Sequence, residues 1–138
     1  MSGPFAAILD ANSNAGPDTI AFDISGSGVH TIQPLLSLPK ITSPVTIDGY
    51  TQPGSSVNTL GGANNAVLTI ELNGSLAGQS TGLWITAGDS TVRGLVINQF
   101  PLDGIRIESG GGNVIEGNYI GTDPTGTIDL GNGTYSTA

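Results

Sequence analysis

Residues 82–101, GLWITAGDSTVRGLVINQFP, can be laid over residues 104–123, GIRIESGGGNVIEGNYIGTD, with glycines and aliphatics falling together. Gly82-Leu83-Trp84-Ile85 meets Gly104-Ile105-Arg106-Ile107 at a shift of 22 residues, and Val92-Arg93-Gly94 meets Ile115-Glu116-Gly117 at a shift of 23, as Ile97 meets Ile120. One additional residue within Gly110-Gly111-Gly112 accounts for the difference. A period of about 22 residues, holding two brief strands and glycine-rich corners, belongs to a solenoid rather than a sandwich. A single turn of that length cannot bury its own apolar side chains, so it needs a neighbouring turn stacked on it. VTIDGYTQPG and LTIELNG read as a less regular preceding coil, from which residues 54–65 leave as a surface loop.

The rest of the chain agrees with this reading. TIAFDI (19–24), VHTI (29–32), VTIDG (45–49), VLTIEL (67–72) and GLWIT (82–86) are short alternations bounded by Gly, Asn, Asp and Pro, hence short strands. The first segment differs: Pro4 suits a first helical turn, Phe5, Ile8 and Leu9 share one helical face, and Gly16-Pro17 ends the pattern. The fold class is therefore all-β, a right-handed parallel β-helix with a short N-terminal capping helix. Residues 1–16 are the cap helix and linker and residues 17–138 the coils, with a C-terminal truncation expected.

Stacked coils form columns. Leu83, Ile85, Val92, Ile97, Ile105, Ile107, Ile115 and Ile120 are expected to point inward, and Trp84, Arg93, Arg106, Glu108, Glu116 and Tyr119 outward. Leu95 and Asn118 follow glycines that could be corners or bulges, which leaves their facing open. The 22 glycines supply positive φ at corners, and asparagine tolerates the same region while offering an amide to corner backbone.

Charge narrows the partners. Three cationic side chains, Lys40, Arg93 and Arg106, stand against eleven carboxylates, a net charge of −8. Such a chain is poorly suited to neutralising phosphates, which argues against nucleic acid and against an anionic membrane surface. With no cysteine and a single histidine, His30, there is no disulfide framework and no cysteine or histidine-rich zinc site. His30 reads as a surface or cap residue. The apolar runs are too short to span a bilayer, so no membrane insertion is expected, and the opening MSGPFAAILD lacks the basic and apolar regions of a signal peptide.

The stretches PDTIAF (17–22), SGSGVHTIQP, LPKITSPVTIDGYTQPG, IELNGS, GLWITAGDSTVRGLVIN and GGGNVIEGNYIGTDPTGT together resemble the bacterial right-handed β-helix proteins related in fold to the pectin lyases. The resemblance covers nearly the whole chain, and AILDAN resembles the helix that caps the apolar core in those proteins. It implies a secreted or cell-surface location, further β-helix coils of a parent chain as neighbours, and a polysaccharide or surface glycan as partner. Two departures, a missing segment ahead of the helix and a stop at GNGTYSTA, fit a truncated sequence.

Because lyases and glycosidases also resemble this fold, the outward acids Asp48, Glu71, Asp103, Glu108 and Glu116 are weighed for catalysis. Glu108 and Glu116 lie in the regular repeat but on different faces, so no catalytic residue is assigned. The alternative is an enzyme, a polysaccharide lyase or glycosidase, with its catalytic coils beyond residue 138. Trp84 and Arg106, stacked by the shift of 22, form one candidate ligand site, since an outward indole can carry a sugar ring or a cation. Arg93 and Glu116, equivalent places one coil apart, form another: they could grip a uronic acid, or make an exposed cross-strand pair of about 0.2–1 kcal/mol, the reading preferred. No cofactor and no metal site is assigned. Asp123 and Asp129 in GTDPTGTIDLGNG could gather around calcium, but the loop lacks the EF-hand and calcium β-roll patterns, and turn chemistry is the simpler reading. An ice-binding threonine array is not expected, because Thr46, Thr69, Thr86 and Thr91 do not fall at one repeat position.

Overall fold

A computed structural model describes residues 3–134. Helix α1 (Pro4–Ser13) is followed by ten short strands: β1 (Asp18–Ala21), β2 (His30–Ile32), β3 (Val45–Asp48), β4 (Ile70–Asn73), β5 (Leu83–Ile85), β6 (Thr91–Arg93), β7 (Leu95–Asn98), β8 (Ile105–Ile107), β9 (Val114–Glu116) and β10 (Tyr119–Ile120). Every strand pairing is parallel, and the partners are a turn apart in sequence. The first sheet runs β1-β3-β6-β9, the second β2-β4-β7-β10, and the third joins β5 to β8, extended by a bridge from Ile41 to Ile85. The result is a parallel β-solenoid of about four turns.

Each regular turn carries three strands rather than two. Gly94 between β6 and β7 has φ of 70°, and Gly117 between β9 and β10 has φ of 62°. A single left-handed residue bends the chain from one sheet to the next, too short a break to separate the strands by sequence pattern alone. The space is as restrictive as the torsion, since a Cβ on Gly94 would lie 2.8 Å from the Tyr50 ring.

The columns run through the solenoid as expected. Ile20, Ile47, Val92 and Ile115 stack in the first sheet, Ile32, Leu72, Ile97 and Ile120 in the second, and Ile41, Ile85 and Ile107 in the third. Val92, Ile85 and Ile97 are wholly buried, whereas Ile107, Ile115 and Ile120 are 47%, 36% and 46% exposed. These last three occupy the inward places assigned to them, but in the final rung, where no further described turn covers them. Leu95 settles inward at 2% exposure, below the half-buried Asn118 of the next rung. Phe100, fully buried, fills the corner beside Gly74 and Gly82, where a side chain would collide with its ring.

At the other end α1 lies over the core and buries Ile8 and Ala11. Leu9, expected on that face, is 45% exposed, and Ala11 takes its place on the buried side. Asn12 fixes the helix in position: its amide donates to the Lys40 carbonyl (2.8 Å) and its oxygen accepts from Thr42 N–H (2.9 Å).

Residues 54–65 do leave the solenoid, closed at their base by an antiparallel bridge between Ser56 and Val67. Asn58 and Asn65 brace the excursion, and Asn64 donates to the Tyr119 hydroxyl at 2.7 Å. Glu71, on the outward row of the second sheet, is only 8% exposed, and its carboxylate accepts from Thr31 Oγ1 (2.7 Å) and Asn98 Nδ2 (2.8 Å).

Candidate functional site

On the outer face of the third sheet, strand pairing sets Trp84 against Arg106, and the bridge at Ile41 sets Lys40 on the rung before. The Lys40 ammonium lies 3.9 Å and the Arg106 guanidinium carbon 4.6 Å from the indole centroid. The two come from the rungs on either side of Trp84. The indole N–H donates to Glu108 Oε2 at 2.6 Å, which completes a group of one aromatic, two cations and one carboxylate. Lys40, Arg106 and Glu108 are exposed and Trp84 is half-buried. Each cation–ring contact at such a site contributes about 0.5–1 kcal/mol.

Arg93 and Glu116 are brought together on the first sheet, with Nη1 4.0 Å from Oε1. The nearer partner of Arg93 is Asp48 on the rung before, with Nε 3.1 Å from Oδ1. That contact is the closer of the two ion pairs Arg93 makes. The guanidinium also lies 5.6 Å from the Tyr50 ring centroid. Burial raises the Tyr50 phenol above its ordinary pKa, and the Arg93 charge pulls it back only in part, so the phenol stays protonated and donates to the Gly117 carbonyl at 2.9 Å.

The two candidate pairs therefore sit on different sheets and form separate clusters. All three cations of the chain rest on aromatic rings, Lys40 and Arg106 on Trp84 and Arg93 on Tyr50. Lys40 and Tyr50 are absent from the candidates drawn from the sequence, and Asp48, weighed there only as an outward acid, was not paired with Arg93. Lys40 precedes Trp84 by 44 residues (84 minus 40) and Asp48 precedes Arg93 by 45 (93 minus 48), because residues 49–69 connect β3 to β4 where Gly94 alone connects β6 to β7. A search for a period of 22 cannot see them.

Asp123 accepts from its own loop: the Thr125 hydroxyl at 2.7 Å, Thr127 N–H at 3.2 Å and Ile128 N–H at 3.1 Å. Desolvation pushes its pKa up, but the hydrogen bonds from Thr125, Ile128 and Thr127 outweigh it and hold the carboxyl below the ordinary value. Thr122 and Asp129 close the loop by an antiparallel bridge. Among the described residues no three His, Cys, Asp or Glu side chains gather into a metal-binding group, and no helix is long and apolar enough to cross a membrane. The four threonines do not share one repeat position, since Thr69 adjoins β4 and Thr86 adjoins β5. Thr46 does pair with Thr91, and Thr19 joins them in a three-rung outward row that ends at Val114.

Fold and outward rows define the class, a parallel β-solenoid with cation–aromatic columns on two of its faces. Compared with known proteins, the chain matches no family model, no curated protein and no solved structure.

Proposed function

We propose that the chain is a non-catalytic β-helix scaffold of a secreted or cell-surface protein, of the kind related in fold to the pectin lyases, and that it contacts glycans through the Trp84 cluster. The observation that carries this reading is the convergence of an indole, an ammonium, a guanidinium and a carboxylate on one open strand face. A sugar presents a C–H face and a rim of hydroxyls. The indole suits the first, while Lys40 and Arg106 as donors and Glu108 as acceptor suit the second. Arg106 is the group to be displaced, because it is exposed and β8 is the outermost described strand of its sheet. Location on the cell surface and the glycan partner draw their support from the sequence resemblance.

The test is a glycan array read beside a depolymerisation assay on the same polysaccharides. Binding that weakens about tenfold or more in Trp84→Ala, with no new chain ends released, is the expected result; a tenfold loss corresponds to about 1.4 kcal/mol. Equal binding by the variant, or cleavage by the wild-type chain, would overturn the proposal.

A further inference from the structure

The outer face of the second sheet holds a buried carboxylate with no counter-charge beside it. Glu71 is 8% exposed, and its two oxygens accept from Thr31 Oγ1 at 2.7 Å and Asn98 Nδ2 at 2.8 Å, both neutral groups. The three cationic side chains lie elsewhere, Arg93 on the first sheet and Lys40 and Arg106 on Trp84 at the third. His30 pairs with Ile70 and so projects from the opposite face of its strand from Thr31, where its Nε2 lies 3.1 Å from the Gly26 carbonyl. Burying a carboxylate against neutral donors alone is costly, and a buried charge is ordinarily paired or bound to a metal.

Asn98 supplies a second, independent sign. It is wholly buried, its Nδ2 donates to Glu71 Oε1 and to the Thr122 carbonyl (2.9 Å), and its Oδ1 has no hydrogen-bond partner among the described residues. The two ends of a side-chain amide exchange places by a half-turn about Cβ–Cγ. That turn sets Oδ1 about 2.8 Å from Glu71 Oε1 and about 2.9 Å from the Thr122 oxygen, so that three oxygens converge. Either orientation leaves one end of the amide without a partner, and only a cation makes the oxygen-inward one favourable.

Spacings of this size are edges of a coordination shell. An ion about 2.4 Å from each oxygen would have neighbouring ligands about 70–75° apart, the equatorial angle of the pentagonal bipyramid that Ca²⁺ often adopts. The same edges suit Mg²⁺ at about 2.1 Å with near-octahedral angles, so burial decides between the two ions. Mg²⁺ keeps several waters, whereas Glu71 and Asn98 present a nearly dry set of protein oxygens, which Ca²⁺ accepts.

We propose that Glu71, Asn98 and the Thr122 carbonyl form a Ca²⁺ site, which ties together the turns that contribute β4, β7 and β10. The carboxylate supplies the charge, the Thr31 hydroxyl holds its second oxygen, and binding turns the Asn98 amide over. One carboxylate among neutral oxygens sets the dissociation constant at about 10⁻⁴–10⁻³ M. The site lies on a different sheet from the Trp84 cluster and does not rest on the glycan reading.

The experiment combines thermal melts and calorimetric titration of the chelator-treated 138-residue chain with CaCl2, and with MgCl2 at equal ionic strength. CaCl2 at ten times its dissociation constant should shift the unfolding equilibrium about elevenfold towards the folded chain, and MgCl2 should not. Glu71→Gln keeps the shape of the side chain and its hydrogen bonds. It should melt no lower than wild type without metal, and it should lose the response to CaCl2. Asn98→Asp, with a second carboxylate, should depend on CaCl2 for its stability and bind it on the order of tenfold more tightly. In nuclear magnetic resonance spectra of the wild-type chain, the Asn98 side-chain amide signals should move with CaCl2 while those of Asn118 stay in place. No response to CaCl2, an equal response to MgCl2, a response retained in Glu71→Gln, or Asn98 amide signals that ignore the ion would each overturn the proposal.

Discussion

Asparagine serves this chain through its side-chain amide. Asn118 accepts from Leu95 N–H at 3.0 Å and donates to the Val92 carbonyl at 2.8 Å, bridging the corner where β6 passes into β7 on the rung below. Asn132 repeats the device on Phe100 N–H and the Ile97 carbonyl, and Asn113 accepts from Ser90 N–H. The non-glycine residues with positive φ are Asp89 and Gln99, so among the described residues asparagine supplies hydrogen bonds and glycine supplies left-handed backbone. Replacing Asn118 with Leu would leave two corner groups unpartnered. We expect it to cost about 1–3 kcal/mol in chemical denaturation, against no measurable change for the exposed Asn14→Ala. Asp123 gives a residue-scale prediction in pH. Its folded pKa is lowered, so its stabilisation is present above the unfolded carboxylate value of about 3.9 and is lost as pH falls through the folded value. Asp123→Asn should therefore melt below wild type at neutral pH, and the gap should narrow once the pH drops under about 3.9. A gap that is constant across the acid range would contradict this account of the loop.

At the level of elements, the corner glycines decide the path of the chain. Gly94 is held at φ 70° with the Tyr50 ring against its open side. Gly94→Ala should destabilise by about 1–2 kcal/mol from backbone conformation alone, and further from the clash. Trimming Tyr50 to Leu in the same chain should recover the second part and not the first, a separation that thermal melts of the two single variants and the double variant would reveal. The same glycine explains what pattern reading could and could not see. The pairings Trp84–Arg106 and Arg93–Glu116 were legible because they lie within the two coils whose repeat length is nearly constant. The strand break at Gly94 was not, since TVR and LVIN run on as one apolar alternation with a single residue between them. Lys40 beneath Trp84 and Asp48 beneath Arg93 were hidden by the long connection of residues 49–69 between β3 and β4, which displaces their coil from the common period without displacing its rungs in space. Facing was legible for Val92 and Ile97. Exposure was not legible for Ile115 and Ile120, because the repeat records which way a side chain points and is silent on whether another turn lies above it.

For the whole molecule, stability is distributed along one axis, each turn being held by its neighbours on either side. The middle turns, with Ile47, Val92, Leu95 and Ile97 at 4% exposure or less, have neighbours both above and below. The last described turn has a neighbour on one side only. Local opening should therefore begin at β8–β10, and hydrogen exchange in dilute solution should rank the amides accordingly. Amides of β3, β6 and β7 that are bonded within the ladders should exchange slowly, by global unfolding, and those of β9 and β10 much faster. Equal exchange rates for the ladder amides of β7 and β10 would contradict this ordering.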